Sequence, residues 1–144
     1  MSNSQIVNEA IELLNLNEAS CIAIKDNKII AKELGRGIKP LFNIYSNYLE
    51  QLEGSLVVDK VIGKGAAILI CNAKVDRVYT HIISQPALEL LNKYNINIDY
   101  EVKTEHIKNR DNTGMCPLEK RVFGIEDLEE GLAEIRDFVN SLKN

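Results

Sequence analysis

The chain has 144 residues, 45% hydrophobic and 26% charged, with a formal net charge of −4. This size predicts one domain over residues 1–144, with enough buried surface to fold without disulfides. The acidic balance argues against a nucleic-acid partner, because nucleic-acid binding needs a basic face. The longest strongly apolar run, from Ala66 to Cys71, is too short to cross a membrane.

The three cysteines predict reduced thiols in a cytoplasmic protein. They are odd in number and form no Cys-x-x-Cys pair. Cys21 and Cys71 lie in apolar runs and are predicted to be core residues. The first five residues lack the basic and apolar regions of a secretory signal.

The first half of the chain predicts a helix, a hairpin and a second helix. Apolar residues between Ile6 and Leu14 share one helical stripe. Strands are predicted at Ser20–Lys25 and Lys28–Glu33, joined by a two-residue turn at Asp26-Asn27. A glycine loop precedes a helix over Leu41–Leu52.

The second half predicts strands that alternate with helices. Small and apolar residues favour a buried helix over Val57–Asn72, with a strand at Leu56–Val58 as the alternative, because short apolar runs are ambiguous. The later predicted elements are a strand at Val75–Ile83, a helix capped by Ser84 and begun by Pro86, a strand at Ile96–Lys103, and helices at Pro117–Phe123 and Ile125–Leu142. This order predicts an α/β fold with a mixed sheet covered on both faces.

The segment from Asn109 to Glu119 ends on a thiol where a helix should begin. Pro117 suits the first helical position, and Glu119 follows Cys116 at capping-box spacing. A thiol at a helix N-terminus, with Arg110 nearby, is favoured as thiolate. Cys116 is therefore a candidate nucleophile or redox thiol, with a structural cap as the alternative.

The glycine loop carries two cations just before a helix. Gly35, Arg36, Gly37 and Lys39 precede Pro40, a pattern that suits phosphate or carboxylate binding. The alternative is a turn with solvated charges. Asn109 and Arg110 either bind the same anion or tie down their own loop.

Lys64 is a candidate catalytic residue because it lies in an apolar, glycine-flanked segment. A buried lysine must find a partner or lose its proton. Alternatively, Lys64 lies on an exposed edge or pairs with Asp59, a further candidate ligand-binding residue.

Three motifs carry a family resemblance. Gly-Arg-Gly-Ile-Lys-Pro from Gly35, Asp-Lys-Val-Ile-Gly-Lys from Asp59 and Thr-Gly-Met-Cys-Pro-Leu-Glu from Thr113 together resemble an uncharacterised prokaryotic family with a cytidine-deaminase-like fold. The resemblance implies a five-stranded, three-layer α/β/α sandwich.

The residues that would hold zinc in a true deaminase are missing. Zinc deaminases carry His-Ala-Glu or Cys-Ala-Glu at the start of one central helix and Pro-Cys-x-x-Cys at the start of the next. The best superposition places Ile62 at the first ligand, Lys64 at the glutamate, and Ala87 and Leu90 at the cysteines. Because zinc needs N, S or O donors, no metal is predicted at these positions. No other cofactor is predicted either.

Two functions remain open. In the first, a zinc-free deaminase-like pocket binds an anionic or nucleotide-like small molecule, and Lys64 and Cys116 act on it. In the second, the same pocket belongs to a non-catalytic ligand-sensing or regulatory module. The aromatic residues Phe42, Tyr45 and Tyr48 belong to the core or to the surface of a homodimer.

Overall fold

The protein is built on a five-stranded mixed sheet. A computed structural model describes residues 2–108 and 114–142. The strands are β1 (Cys21–Lys25), β2 (Lys28–Glu33), β3 (Leu56–Ile62), β4 (Arg77–Ser84) and β5 (Asn97–Thr104). They lie in the order β2-β1-β3-β4-β5. β1 is antiparallel to both β2 and β3, whereas β3, β4 and β5 run parallel.

The predicted hairpin between β1 and β2 is confirmed. Asp26 and Asn27 have φ values of 52° and 64°, the left-handed conformation that a two-residue type I′ turn requires at both positions. Asp and Asn tolerate this region better than other non-glycine residues do. The turn sets Lys25 opposite Lys28, and a one-residue shift between Ala23 and Ile24 then brings Cys21 opposite Glu33.

Seven helices surround the sheet in the described ranges. They are α1 (Ser2–Asn15), α2 (Lys39–Asn47), α3 (Leu49–Leu52), α4 (Lys64–Ala73), α5 (Gln85–Lys93), α6 (Pro117–Val122) and α7 (Leu128–Ser141). The single helix predicted over Leu41–Leu52 is wrong, because Tyr48 leaves the helical conformation at φ −131° and ψ 30° and separates α2 from α3. None of these helices is long and apolar enough to cross a bilayer.

The helix predicted over Val57–Asn72 is also wrong, and the strand alternative is correct. The segment is a strand, β3, followed by a shorter helix, α4. Val57 and Val58 are each fully buried because they face different apolar clusters on the two sides of the sheet. A strand buried on both faces shows no alternation of polar and apolar residues, so its pattern resembles that of a buried helix.

The apolar core has two parts, one on each face of the sheet. On one face, Ala10 and Leu14 of α1 pack against Ile22, Ile24 and Val58. On the other, a larger cluster centres on α4, whose residues 65–71 are all buried. Tyr45 is buried in this larger cluster, and Phe42 and Tyr48 pack against it.

Candidate functional site

A cleft of about 310 Å³ opens beside the C-terminal end of β3. The loop from Gly35 to Gly37 lines it, together with Asp59, Cys116 and Glu119. The carboxyl ends of parallel strands are the usual place for ligands in open α/β sheets. The structure thus brings one predicted anion loop, one predicted ligand-binding carboxyl and one predicted reactive thiol to a common cleft.

The glycine loop is fixed to the sheet by a side chain that the sequence did not single out. The Ser20 hydroxyl donates to the Gly35 carbonyl at 2.8 Å and accepts from the Gly35 N–H at 3.2 Å. Gly37 has φ +63°, which favours glycine. Arg36 is exposed and lines the cleft, whereas Lys39 begins α2 and is not among the residues that line it.

Asp59 is a half-buried carboxyl inside the cleft. It lies opposite Cys21 in the β1–β3 register, and its Oδ1 accepts from the Val61 N–H at 3.4 Å. Burial raises the pKa of Asp59 to about 7, although hydrogen bonds from the Cys21 thiol and backbone N–H groups oppose this increase. Burial, followed by the neighbouring Asp59, raises the pKa of Cys21 well above its ordinary value. Asp59 therefore exists in both protonation states near neutral pH.

Glu119 binds the N-terminus of a distant helix. Its two oxygens accept from the backbone N–H groups of Lys64 and Gly65 at 2.7 and 3.1 Å. These groups are unpaired donors at the start of α4, so the carboxylate satisfies them and complements the helix dipole. Burial raises the pKa of Glu119, against the lowering effect of these two hydrogen bonds and of the Lys64 and His106 charges.

Two glycines allow this close approach of α6 to α4. A Cβ atom on Gly63 would lie 2.6 Å from the Glu119 carboxyl carbon, and one on Gly65 would lie 2.6 Å from Leu118 Cδ2. Gly63 and Gly65 are therefore the residues that let Leu118 and Glu119 pack directly on the start of α4.

The predicted capping box at Cys116 is wrong. Cys116 is the N-cap of α6, but its side chain makes no capping hydrogen bond. Glu119 does not reach back to Cys116, because both of its oxygens are bound to α4. The half-buried Cys116 lines the cleft instead, and its backbone N–H donates to the Ile107 carbonyl at 2.8 Å.

Lys64 lies next to the cleft rather than in it. It lines a small neighbouring hollow with Pro86, His106 and Met115, and Glu119 lines both spaces. The structure thus places Glu119 between Lys64 and the cleft that holds Cys116. The other two candidate residues, Asn109 and Arg110, lie outside the described residues.

The residues at the predicted zinc positions do not fit a metal. Ile62 and Ala87 are fully buried and Leu90 is 9% exposed, and none of the three carries a donor atom that binds zinc. In residues 2–108 and 114–142, no three His, Cys, Asp or Glu side chains form a group that could hold a metal ion. The metal content of the protein stays a prediction.

The sequence missed two parts of this site. The spacing of Cys116 and Glu119 predicted that Glu119 caps its own helix, whereas it binds the start of α4. No role was predicted for Ser20. Small residues at Gly63 and Gly65 beside a helix start are a signal for close approach of another chain segment. No local pattern in the sequence names Glu119 as the residue that approaches.

The chain is similar to known proteins in both sequence and fold. A family described as "Domain of unknown function (DUF1893)" matches residues 9–139. A DUF1893 family protein of Thermotoga maritima superposes with a TM-score of 0.84 and 31% identity, over 92% of this chain and 89% of that chain. No curated protein matches the chain.

Two deaminase structures show the same fold at low identity. The dCMP deaminase of cyanophage S-TIM5 in its apo form has a TM-score of 0.50 and 13% identity, over 71% of this chain and 96% of that chain. A diaminohydroxyphosphoribosylaminopyrimidine deaminase/reductase of Thermotoga maritima has a TM-score of 0.50 and 13% identity, over 84% of this chain and 41% of that chain. The expected deaminase-like α/β fold is therefore confirmed.

Proposed function

The chain belongs to the DUF1893 family of unknown function, and we propose that it binds a small anionic ligand with N–H donors, such as a nucleotide, in the cleft beside β3. The observation that carries the proposal is that the exposed Arg36, the half-buried Asp59 and the buried Glu119 line one cleft of about 310 Å³. This volume is at the lower end of the range for ligand pockets, so it favours a small ligand.

The glycine loop supplies the contact to the anion. Arg36 offers a guanidinium whose paired N–H groups match phosphate or carboxylate oxygens. The glycines on either side of it leave the backbone open to close approach by a ligand. Lys39, three residues after Arg36, is exposed and adds positive charge near the loop.

Asp59 supplies the contact to the other part of the ligand. Its pKa of about 7 lets the carboxyl accept a hydrogen bond when ionised or donate one when protonated. An amide or amino-heterocycle edge, which carries both donors and acceptors, suits such a group. Glu119 is less available, because both of its oxygens already accept backbone N–H groups.

Removing the two loop cations should abolish the stabilisation that an anionic ligand gives. Nucleoside monophosphates should raise the melting temperature of the wild type, because a ligand that binds only the folded state stabilises it by mass action. The double variant Arg36→Ala/Lys39→Ala should lose this shift, as measured by differential scanning fluorimetry and confirmed by calorimetric titration.

A matched variant controls for net charge in this experiment. Lys28→Ala/Lys32→Ala removes the same charge from two exposed residues of β2 that do not line the cleft, and it should respond like the wild type. The binding proposal fails if no nucleoside monophosphate shifts the wild-type melting curve, or if the two double variants respond equally.

Cys116 is the thiol proposed to meet the bound ligand, and it should be the one that reacts in the folded protein. Cys21 and Cys71 are 0% and 6% exposed, and burial raises the pKa of Cys71 to about 12. Since thiolate is the reactive form, iodoacetamide near neutral pH should alkylate Cys116 first, as mapped by peptide mass spectrometry. A bound nucleotide should slow this reaction.

Equal and slow labelling of the three cysteines would contradict this prediction. Labelling of Cys116 at the same rate with and without a binding nucleotide would leave it reactive but would place the ligand elsewhere. Cys71→Ser serves as the matched control, because it should leave the fast alkylation unchanged.

A non-catalytic ligand-sensing module is the second candidate, and the position of Lys64 favours it. Lys64 lines the hollow on the other side of Glu119, so the two proposed catalytic side chains do not face one cleft. Once a ligand is identified, Cys116→Ser separates the two functions. An enzyme should lose turnover at unchanged affinity, whereas a sensor should have no turnover to lose.

A further inference from the structure

β5 forms one outer edge of the sheet and is exposed along most of its length. Its residues 99–103 are all exposed. β4, which has the same length and lies beside it, exposes only Arg77 and Ile82. An edge strand carries a row of N–H and C=O groups that can pair with another strand.

Apolar side chains reach this open edge. The register places Val61, Ile82 and Val102 side by side on three neighbouring strands. They are 40%, 37% and 55% exposed, and Tyr100 on β5 is 42% exposed. Val102 and Tyr100 lie at the β5 end of this apolar surface, so a strand paired with β5 would cover their outer sides.

Among the registers centred on Tyr100, Glu101 or Val102, the charges of β5 favour one for pairing with a second copy of itself. In a two-fold antiparallel pair, one residue lies opposite its own copy. Centring the pair on Tyr100 sets Asp99 opposite Glu101, and centring it on Glu101 sets that residue opposite itself. Both of these registers place like charges opposite each other, which is destabilising.

Centring the pair on Val102 gives a complementary arrangement. Glu101 of each copy then lies opposite Lys103 of the other, Val102 packs on Val102, and Tyr100 lies opposite Thr104. The like-charged Asp99 and Glu105 also face each other in this register, but Glu105 lies beyond the end of β5. Opposite charges and apolar pairs across strands both stabilise a sheet.

Glu101 is already oriented in the single chain. Its Oε2 lies 3.0 Å from His81 Nδ1, and the Tyr79 hydroxyl donates to the same oxygen. The hydrogen bonds from Tyr79 and His81 hold the pKa of Glu101 below its ordinary value. The carboxylate therefore stays charged and fixed in place when a cation approaches.

We propose that two copies of this chain form a homodimer through β5, in the antiparallel register centred on Val102. The two five-stranded sheets then become one continuous sheet with a two-fold axis at Val102. Such an interface is isologous and closes after two copies, and it removes the exposed edge from both.

Cysteine cross-linking tests both the dimer and its register. In a Cys116→Ser background, Val102→Cys should form a disulfide-linked dimer on mild oxidation, because opposite Cα atoms in an antiparallel pair lie about 4.5–5.5 Å apart. Glu101→Cys is the matched control. Its copies would be offset by two residues and about 8 Å apart, which is too far for a disulfide.

Charge exchange gives a second measurement. Lys103→Glu should convert the dimer to a monomer by light scattering, and the double exchange Glu101→Lys/Lys103→Glu should restore it. Lys32→Glu, on the opposite edge strand β2, should leave the dimer intact.

Three outcomes would overturn the proposal. In the first, the wild type is a monomer over a wide concentration range and the Val102→Cys variant forms no cross-link. In the second, the Glu101→Cys variant cross-links more readily than the Val102→Cys variant. In the third, the protein is a dimer and Lys103→Glu does not weaken it.

Discussion

Glu119→Ala should lower the free energy of unfolding by about 2 kcal/mol. The substitution leaves the backbone N–H groups of Lys64 and Gly65 without the acceptors that they now have at 2.7 and 3.1 Å. Hydrogen bonds to a charged group contribute roughly 1.5–3 kcal/mol each. The loss is partly offset, because the variant no longer buries a carboxylate whose pKa is raised by burial. Urea denaturation followed by circular dichroism measures the difference.

Lys120→Ala is the matched control for this experiment. Lys120 is the next residue of α6 and is exposed, so its removal should change the free energy of unfolding by no more than about 0.5 kcal/mol. Equal stability of Glu119→Ala and Lys120→Ala would contradict the role assigned to Glu119.

Gly63→Ala should destabilise the protein through the same contact. Gly63 has φ −98°, which any residue adopts, so the backbone does not demand glycine there. The new Cβ would lie 2.6 Å from the Glu119 carboxyl carbon, which forces the side chain away from both N–H groups. The double variant Gly63→Ala/Glu119→Ala should therefore lose less free energy of unfolding than the sum of the losses of the two single variants. Strict additivity would show that Gly63 acts independently of Glu119.

Local signals in the sequence predict most of the fold correctly. Ser84 caps α5 by accepting from the Ala87 N–H at 3.2 Å, with Pro86 in the first turn as predicted. The hairpin and the alternation of strands with helices after it are also confirmed. These features depend on neighbouring residues, so a local pattern is enough to find them.

The errors occur where distant residues decide the structure. Val57 and Val58 became a strand because both faces of the sheet are covered there, and no neighbouring residue reports that coverage. Glu119 had two helix starts within its reach, its own and that of α4. Its binding to α4 depends on a contact between residues that are 55 positions apart in the sequence. Spacing rules for a single helix do not include such a contact.

Asp59→Asn should reduce the dependence of stability on pH. Burial raises the pKa of Asp59 from 3.8 to about 7, so between about pH 4 and pH 7 the folded protein holds a proton that the unfolded chain has released. Stability then falls as the pH rises through this window and levels off above it. Glu119, whose pKa burial also raises, contributes in the same direction.

The size of the effect follows from the pKa difference. At about 1.36 kcal/mol per pKa unit, Asp59 lowers the free energy of unfolding by at most about 4 kcal/mol between acidic and neutral pH. Its half-buried position and the Cys21 thiol beside it reduce this value in practice. Asparagine keeps the acceptor for the thiol and does not ionise, so the variant should be more stable than the wild type at pH 7 and similar to it at pH 4.

Denaturation curves of the wild type, Asp59→Asn and Asp76→Asn over this pH range measure how the free energy of unfolding depends on pH. Asp76→Asn is the matched control, because Asp76 is exposed and its removal should leave the wild-type profile unchanged. If Asp59→Asn keeps the full pH dependence, Asp59 does not carry the buried proton. If it flattens the profile, the cleft holds a carboxyl that changes its protonation state near neutral pH, and a ligand that donates an N–H group to Asp59 should bind more tightly above pH 7 than below it.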